Sequence, residues 1–284
     1  MAEADPAARL HAKPGGGELA LRVLSAVILA PIAVGTAWLD GWVFVLFWGL
    51  AALVVLSEWS LLIAREDHRW VFMAGGAPIV LALVLAATEH PVAVAVILII
   101  GALGATVLAP SGRRAWAAAG VIYAGVAGLA PIALGAGGGG GFVAIIFLFA
   151  IVWSTDILAY FIGRAVGGPK LMPWVSPNKT WSGAIGGTAA GVLAAVVVAK
   201  LAGLPEIGIL AAVAALLSIC AQIGDLFESY LKRKFGAKDS GHVIPGHGGL
   251  MDRLDGFIAA ALVAALIGLW RGGLDAPAAG LLVW

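Results

Sequence analysis

Charge is what this sequence has least of. Asp, Glu, Lys and Arg make up 12% of its 284 residues, against about 25% in an ordinary soluble domain, while 62% are hydrophobic. A water-soluble fold cannot hide that much apolar surface, so the solvent must be a lipid bilayer. Cysteine is nearly missing too. Cys220 stands alone in an apolar run, which excludes an intrachain disulfide and leaves it a small apolar side chain. The net charge of +1, with no broad basic face, excludes a nucleic-acid partner. No GxxxxGK[ST] phosphate loop, soluble domain or convincing internal repeat is present. No cleavable signal peptide is evident either. Residues 1–21 are polar and rich in Gly and Pro, and the first apolar run leads directly into a second. The reading predicts a disordered tail over 1–21.

What the chain does have is long apolar runs. A transmembrane helix needs about 20 such residues, and the runs predict about nine spans near 23–39, 42–63, 70–88, 91–109, 115–135, 141–163, 182–203, 206–226 and 254–271. The expected fold is therefore an all-α polytopic membrane protein. Its N-terminal helices lie in 22–140 and a catalytic transmembrane region in 141–284, with cytoplasmic loops at 164–182 and 227–253. Loop charges orient it. With the N-terminus in the cytoplasm, every Lys and Arg except Lys200 and Arg271 falls on the inner side, as cytoplasmic retention of positive loops demands.

The remaining polarity is concentrated. Between Ser229 and Asp255 lie five basic residues, three aspartates, two histidines and five glycines. Upstream, Asp225, Glu228, Ser229 and Lys232 are spaced to share one helical face. Asp225 follows mostly apolar residues, and an ionisable group at a membrane boundary defaults to function. The glycines of Pro245–Gly249 allow backbone N–H groups to approach a phosphate, although a simple return turn before the last span accounts for them alone. Asp252 and Asp255, three apart at a helix start, suit the helix dipole or a hard cation such as Mg²⁺, which takes one or two carboxylates together with phosphate oxygens. His242 and His247, five apart in a loop without a Cys partner, are not a zinc pattern.

A second cluster is Ser176-Pro-Asn-Lys-Thr-Trp-Ser-Gly183, where Ser176, Lys179 and Thr180 precede a helix N-terminus and can hold an anion or simply cap the helix. Asp156 lies inside an apolar helix, with Thr155 and Tyr160 as candidate partners. Glu58 is the other intramembrane acid, read as a helix–helix contact.

These residues resemble the phosphatidate cytidylyltransferase (CDP-diacylglycerol synthase) family. The pattern S-x-L-K-R-x4-K-D-x-G-x2-I-P-x-H-G-G-L-x-D-R-L-D runs unbroken from Ser229 to Asp255, and S-P-x-K-T at 176–180 and T-D-x3-Y at 155–160 resemble upstream features of that family. One departure is Ser182, where many members carry an acidic or longer polar residue. The resemblance implies transfer of a cytidylyl group from CTP to phosphatidate, giving CDP-diacylglycerol and pyrophosphate. It implies Mg²⁺, with room for a second, monovalent cation, held by Asp225, Asp252, Asp255 or Asp156. Asp225, Lys232, Arg233, Lys238, Asp239, His247, Asp252 and Arg253 would be catalytic, and Ser176, Lys179, Thr180 and Ser229 would bind substrate. The loop-charge orientation places the site on the cytoplasmic side, and with no organelle-targeting segment visible a plasma (inner) membrane location is expected; a homodimer stays open. Two other readings compete: an ion-coupled transporter relaying through Glu58, Asp156 and Asp225, and a kinase of a polyprenol-type alcohol.

Overall fold

The computed structural model describes residues 16–88, 90–136, 139–241 and 248–284. Its order is α1 (Gly16–Leu39), α2 (Gly41–Ala64), α3 (His68–Ala87), α4 (Pro91–Leu108), α5 (Arg114–Gly135), α6 (Gly139–Val166), a hairpin of β1 (Lys170–Met172) and β2 (Ser176–Thr180), α7 (Trp181–Leu201), α8 (Ile207–Lys234), α9 (Met251–Gly272) and the short α10 (Pro277–Leu282). Each predicted span falls on one of these helices. Among the described residues, seven continuous helical stretches are long and apolar enough to cross a membrane. Gly41–Ala86 counts as one of them, and α1 contributes the shorter apolar segment Val27–Leu39. The 3₁₀ turn Arg65–Asp67 breaks that long stretch into α2 and α3. The chain is thus an all-α polytopic membrane protein.

Three boundaries differ from the sequence reading. Helix α1 begins at Gly16, within the segment read as a tail. The 164–182 loop is an antiparallel hairpin, with Lys170 opposite Thr180 and Met172 opposite Ser176. Helix α8 continues to Lys234, past the predicted end at 226. Leu231 and Glu228 are buried there, and the Glu228–Lys232 pair, one turn apart, supports the extra turns.

Helix α7 shows why small residues matter in this bundle. Gly183, Gly187, Gly191, Ala195 and Ala199 are buried at every fourth position. The stripe lies against α6, where a methyl group on Gly187 would come within 2.7 Å of the Thr155 carbonyl oxygen. Without a hydrophobic force between helices in lipid, such close backbone approach is a main source of cohesion. A polar ladder runs beside it: Thr155 Oγ1 meets Ser218 Oγ at 2.8 Å, Ser218 reaches Thr188 at 3.3 Å, and Gln222 Nε2 donates to Thr188 Oγ1 at 2.9 Å. The ladder links α6, α7 and α8. Replacing Gly187 by Leu must push α7 away from α6, and a drop in thermal stability together with loss of activity is the expected result.

The loops rich in Lys and Arg converge at one end of the bundle. The Arg113 guanidinium lies 4.6 Å from the Phe235 ring centre, Lys234 lies 5.0 Å from that of Trp116, and Trp174 meets Tyr230 edge-on. At the other end α10 folds back onto α9. Arg271 holds it there by donating to the Gly280 and Val283 carbonyls at 2.6 and 2.8 Å and by stacking on Trp284.

Candidate active site

A cleft of about 780 Å³ opens at the charged end, between the last turns of α6, the hairpin, the first turn of α7 and α8. Lys179 and Asp225 form an ion pair across it. The pair exists because β2 carries Lys179 over α8 at Asp225 while the α7 N-terminus fixes the hairpin. Thr180 caps α7 by accepting from the Gly183 N–H at 3.2 Å. Ser182 donates to the Gly167 carbonyl at 2.5 Å and lies 3.0 Å from Thr180 Oγ1. The residue that departs from the family pattern therefore tethers the hairpin to the end of α6. Gln222 lies one turn before Asp225 and lines the same cleft, as do Asp156, Tyr160, Arg164, Lys170 and Asn178.

Three carboxylates gather on this side. Asp156 and Asp255 each lie within electrostatic reach of Asp225 and Lys179, and Arg253 acts on Asp156 as well. Close packing of α8 on α9 brings them together, since a methyl group on Gly224 would sit 2.5 Å from the Asp255 carbonyl oxygen. Ser229 donates to Asp225 Oδ1 at 3.5 Å, so the shared helical face of Asp225 and Ser229 is real. Lys232 turns elsewhere.

Lys232 belongs to a second, buried cluster behind the cleft. Its ammonium contacts Glu228 and Asp252 at 2.6 Å each. The other oxygen of Asp252, Oδ2, accepts from the Ser240 N–H (3.0 Å), the Ser240 hydroxyl (2.9 Å) and the Gly249 N–H (2.9 Å). Both oxygens of Asp252 thus face protein donors, and a cation could reach them only by exchanging with Lys232. Beside it, Glu58 of α2 is 1% exposed and accepts from Leu250 N–H (2.9 Å), Met251 N–H (2.7 Å) and Ser240 Oγ (3.3 Å). One carboxylate from the N-terminal half caps the start of α9 and ties Ser240 to it. The sequence reading has Glu58 as a helix–helix contact, and the structure shows it joining α2 to the start of α9; the partners themselves are not readable from the sequence. Nothing local to Ser57-Glu-Trp59 signals a partner about 190 residues away.

Of the remaining sequence candidates, Arg233, Lys238 and Asp239 are exposed at the same end. Ser176 sits on β2 facing Met172 and is not part of the cleft wall. His247 lies outside the described residues. The cleft residues Tyr160, Arg164, Lys170, Asn178 and Gln222 were not among the predicted site residues. Two of them carried a readable signal: Arg164 follows Tyr160 by one turn where an apolar helix ends, and Gln222 precedes Asp225 by one turn. Among the described residues, no three His, Cys, Asp or Glu side chains converge as a preformed metal cage.

Fold and cleft together define a polytopic membrane protein that gathers carboxylates and cations at one end of its bundle. The family model described as "Cytidylyltransferase family" matches residues 20–270, and the chain belongs to that family. It is 43% identical over 262 residues to a phosphatidate cytidylyltransferase of Brucella suis, an alignment spanning 92% of this chain and 97% of that protein. It is 44% identical over 251 residues to the phosphatidate cytidylyltransferase of Brucella abortus, covering 88% and 93% of the two chains. A phosphatidate cytidylyltransferase of Staphylococcus epidermidis is 48% identical over 115 residues, 40% of this chain and 44% of that one.

Proposed function

We propose that the chain is a nucleotidyltransferase of the membrane that joins CTP and phosphatidate to give CDP-diacylglycerol and pyrophosphate. The observation that carries the reading is the Lys179–Asp225 pair in a cleft at the membrane boundary, in a chain that aligns with nearly the whole length of phosphatidate cytidylyltransferases. The site opens where a water-soluble triphosphate and a bilayer lipid can meet. The positive loop charges support a cytoplasmic orientation for that end, and a bacterial-type plasma membrane suits a chain of this topology.

The chemistry asks little of the protein beyond placement and charge. The lipid phosphate is already an anionic nucleophile, so no strong general base is required. Positioning two anions against each other and stabilising the departing pyrophosphate are the tasks. Lys179 is placed to neutralise phosphate oxygens, with Arg253 on the same side. Thr180 and Ser182 keep the hairpin in register. Glu58 and Asp252 hold Ser240, Gly249, Leu250 and Met251 in place, with Arg233 and Lys238 exposed at the same end.

The donor set fits Mg²⁺. Asp225, Asp255 and Asp156 offer carboxylates on one side, and Mg²⁺ is normally held by one or two carboxylates together with substrate phosphates and water; Asp225 would join the ion by exchanging with Lys179. When bound, the ion would supply charge neutralisation at the phosphates. Asp252 would join its ligands only by releasing Lys232.

A nucleotide panel tests the reading. Purified protein in lipid with Mg²⁺ should release pyrophosphate from CTP when phosphatidate is added, and release should stop on chelation. Release of a nucleoside diphosphate instead would point to a lipid kinase. The transporter reading gains nothing from the geometry, because Glu58 is held by three loop donors and is no free relay.

A further inference from the structure

Three cations line the cleft, Arg164, Lys170 and Lys179, and the different settings of Arg164 and Lys179 carry a division of substrates. Lys179 is paired with Asp225, and Gln222 lines the same cleft. At the mouth, Arg164 Nη1 donates to Tyr160 Oη at 3.0 Å, one helical turn back on α6. Tyr160 is 59% exposed, and both residues line the cleft. The surface around the mouth is apolar. Ile157 and Phe161 on α6, and Trp181 and Ile185 on α7, are exposed large hydrophobic side chains, and in a membrane protein such side chains face acyl chains. A group held at Arg164 therefore has lipid beside it and the Lys179–Asp225 pair ahead of it.

We propose that Arg164, oriented by the Tyr160 hydroxyl, is the receptor for the phosphate monoester of the lipid substrate, leaving Lys179 and the aspartates to the nucleotide; this rests on the function proposed above. Guanidinium suits the task, since its planar fork grips two oxygens of a phosphate at once. The phenol holds the fork in one orientation before the lipid arrives, so less freedom is lost on binding. A monoester presents three oxygens and close to two negative charges. A diester headgroup presents fewer of each, so Arg164 also favours the substrate over the bulk phospholipids around it. In the transfer, an oxygen of the lipid phosphate held by Arg164 bonds to the α-phosphorus of CTP. The bond from that phosphorus to the α,β-bridging oxygen breaks, and pyrophosphate leaves with the electron pair. Nothing is oxidised or reduced.

An interfacial Arg next to a Tyr is also a common way to anchor a helix at the membrane surface, and the experiment separates the two roles. Arg164→Ala and Tyr160→Phe are made in the full-length enzyme in lipid, and KM is measured separately for phosphatidate and for CTP. Loss of a charge-assisted contact to the lipid should raise KM for phosphatidate by about tenfold or more in Arg164→Ala. KM for CTP should stay within about twofold, and Arg164→Lys should recover part of the loss. Tyr160→Phe should give a smaller shift of the same kind. Should Arg164→Ala fail to fold, Arg164→Lys and Tyr160→Phe carry the test. A KM for phosphatidate that does not move, or a rise confined to CTP, overturns the proposal. If wild-type protein turns over no phosphatidate at all, the functional reading fails first.

Discussion

Asp225→Asn is expected to lower turnover by about a thousandfold, the scale at which a preorganised charge at a reacting centre is worth having. The exchange keeps the side chain's shape and removes its charge. Lys179 then loses the carboxylate that holds it across the cleft, and the proposed cation site loses the acid within electrostatic reach of Asp156 and Asp255. Folding should hardly notice. The Asp225 side chain is 34% exposed, and an ion pair this open to solvent contributes at most about 1 kcal/mol. Activity should thus collapse while thermal stability stays near wild type. If Asp225→Asn keeps a tenth or more of wild-type turnover, the assignment of the cation to Asp225 is wrong.

The second large effect is expected far from the cleft in sequence. Glu58→Ala removes the acceptor for two backbone N–H groups at the start of α9, while the Ser240 hydroxyl keeps its shorter bond to Asp252. Hydrogen bonds to a charged group contribute about 1.5–3 kcal/mol each, and donors left buried without a partner cost more. Stability should fall by about 3 kcal/mol or more, with Leu250 and Met251 freed from α2. Glu58→Gln keeps one acceptor oxygen but turns an amide N–H₂ toward donors, so it should sit between wild type and Ala. Both variants should lose activity in parallel with order at the start of α9, read as faster hydrogen exchange at Leu250 and Met251. Wild-type exchange in Glu58→Ala would contradict the anchoring role. Asp252 acts in the same structure from the other side, since its Oδ2 gathers Ser240 and Gly249.

Much of this was legible in the chain. Hydropathy marks the helices because lipid leaves no alternative for a spanning segment, and Asp225, Lys179 and Thr180 stand out as polar groups at the ends of apolar runs. The pairing of Lys179 with Asp225 was not legible, because it depends on a β-hairpin only three to five residues per strand, too short to show a period. Lys232 illustrates the limit of helical spacing. It shares a face with Asp225, yet it turns to Glu228 and Asp252, because α9 brings a second carboxylate to it and local spacing says nothing about α9. Glu58 and the Arg164–Tyr160 pair lie on different sides of the same limit. The first needed tertiary contacts, whereas the second was present as an i, i+4 pair whose meaning depends on facing a cleft.

The most direct measurement follows two phosphorus labels through one reaction. Purified protein in lipid is given phosphatidate, Mg²⁺ and CTP labelled at the α-phosphorus in one sample and at the γ-phosphorus in another. The α label should move into a lipid product and the γ label should leave as pyrophosphate. If the γ label enters the lipid, or neither label moves in protein that is folded and supplied with both substrates, the account of this chain as a cytidylyl-transferring enzyme is contradicted.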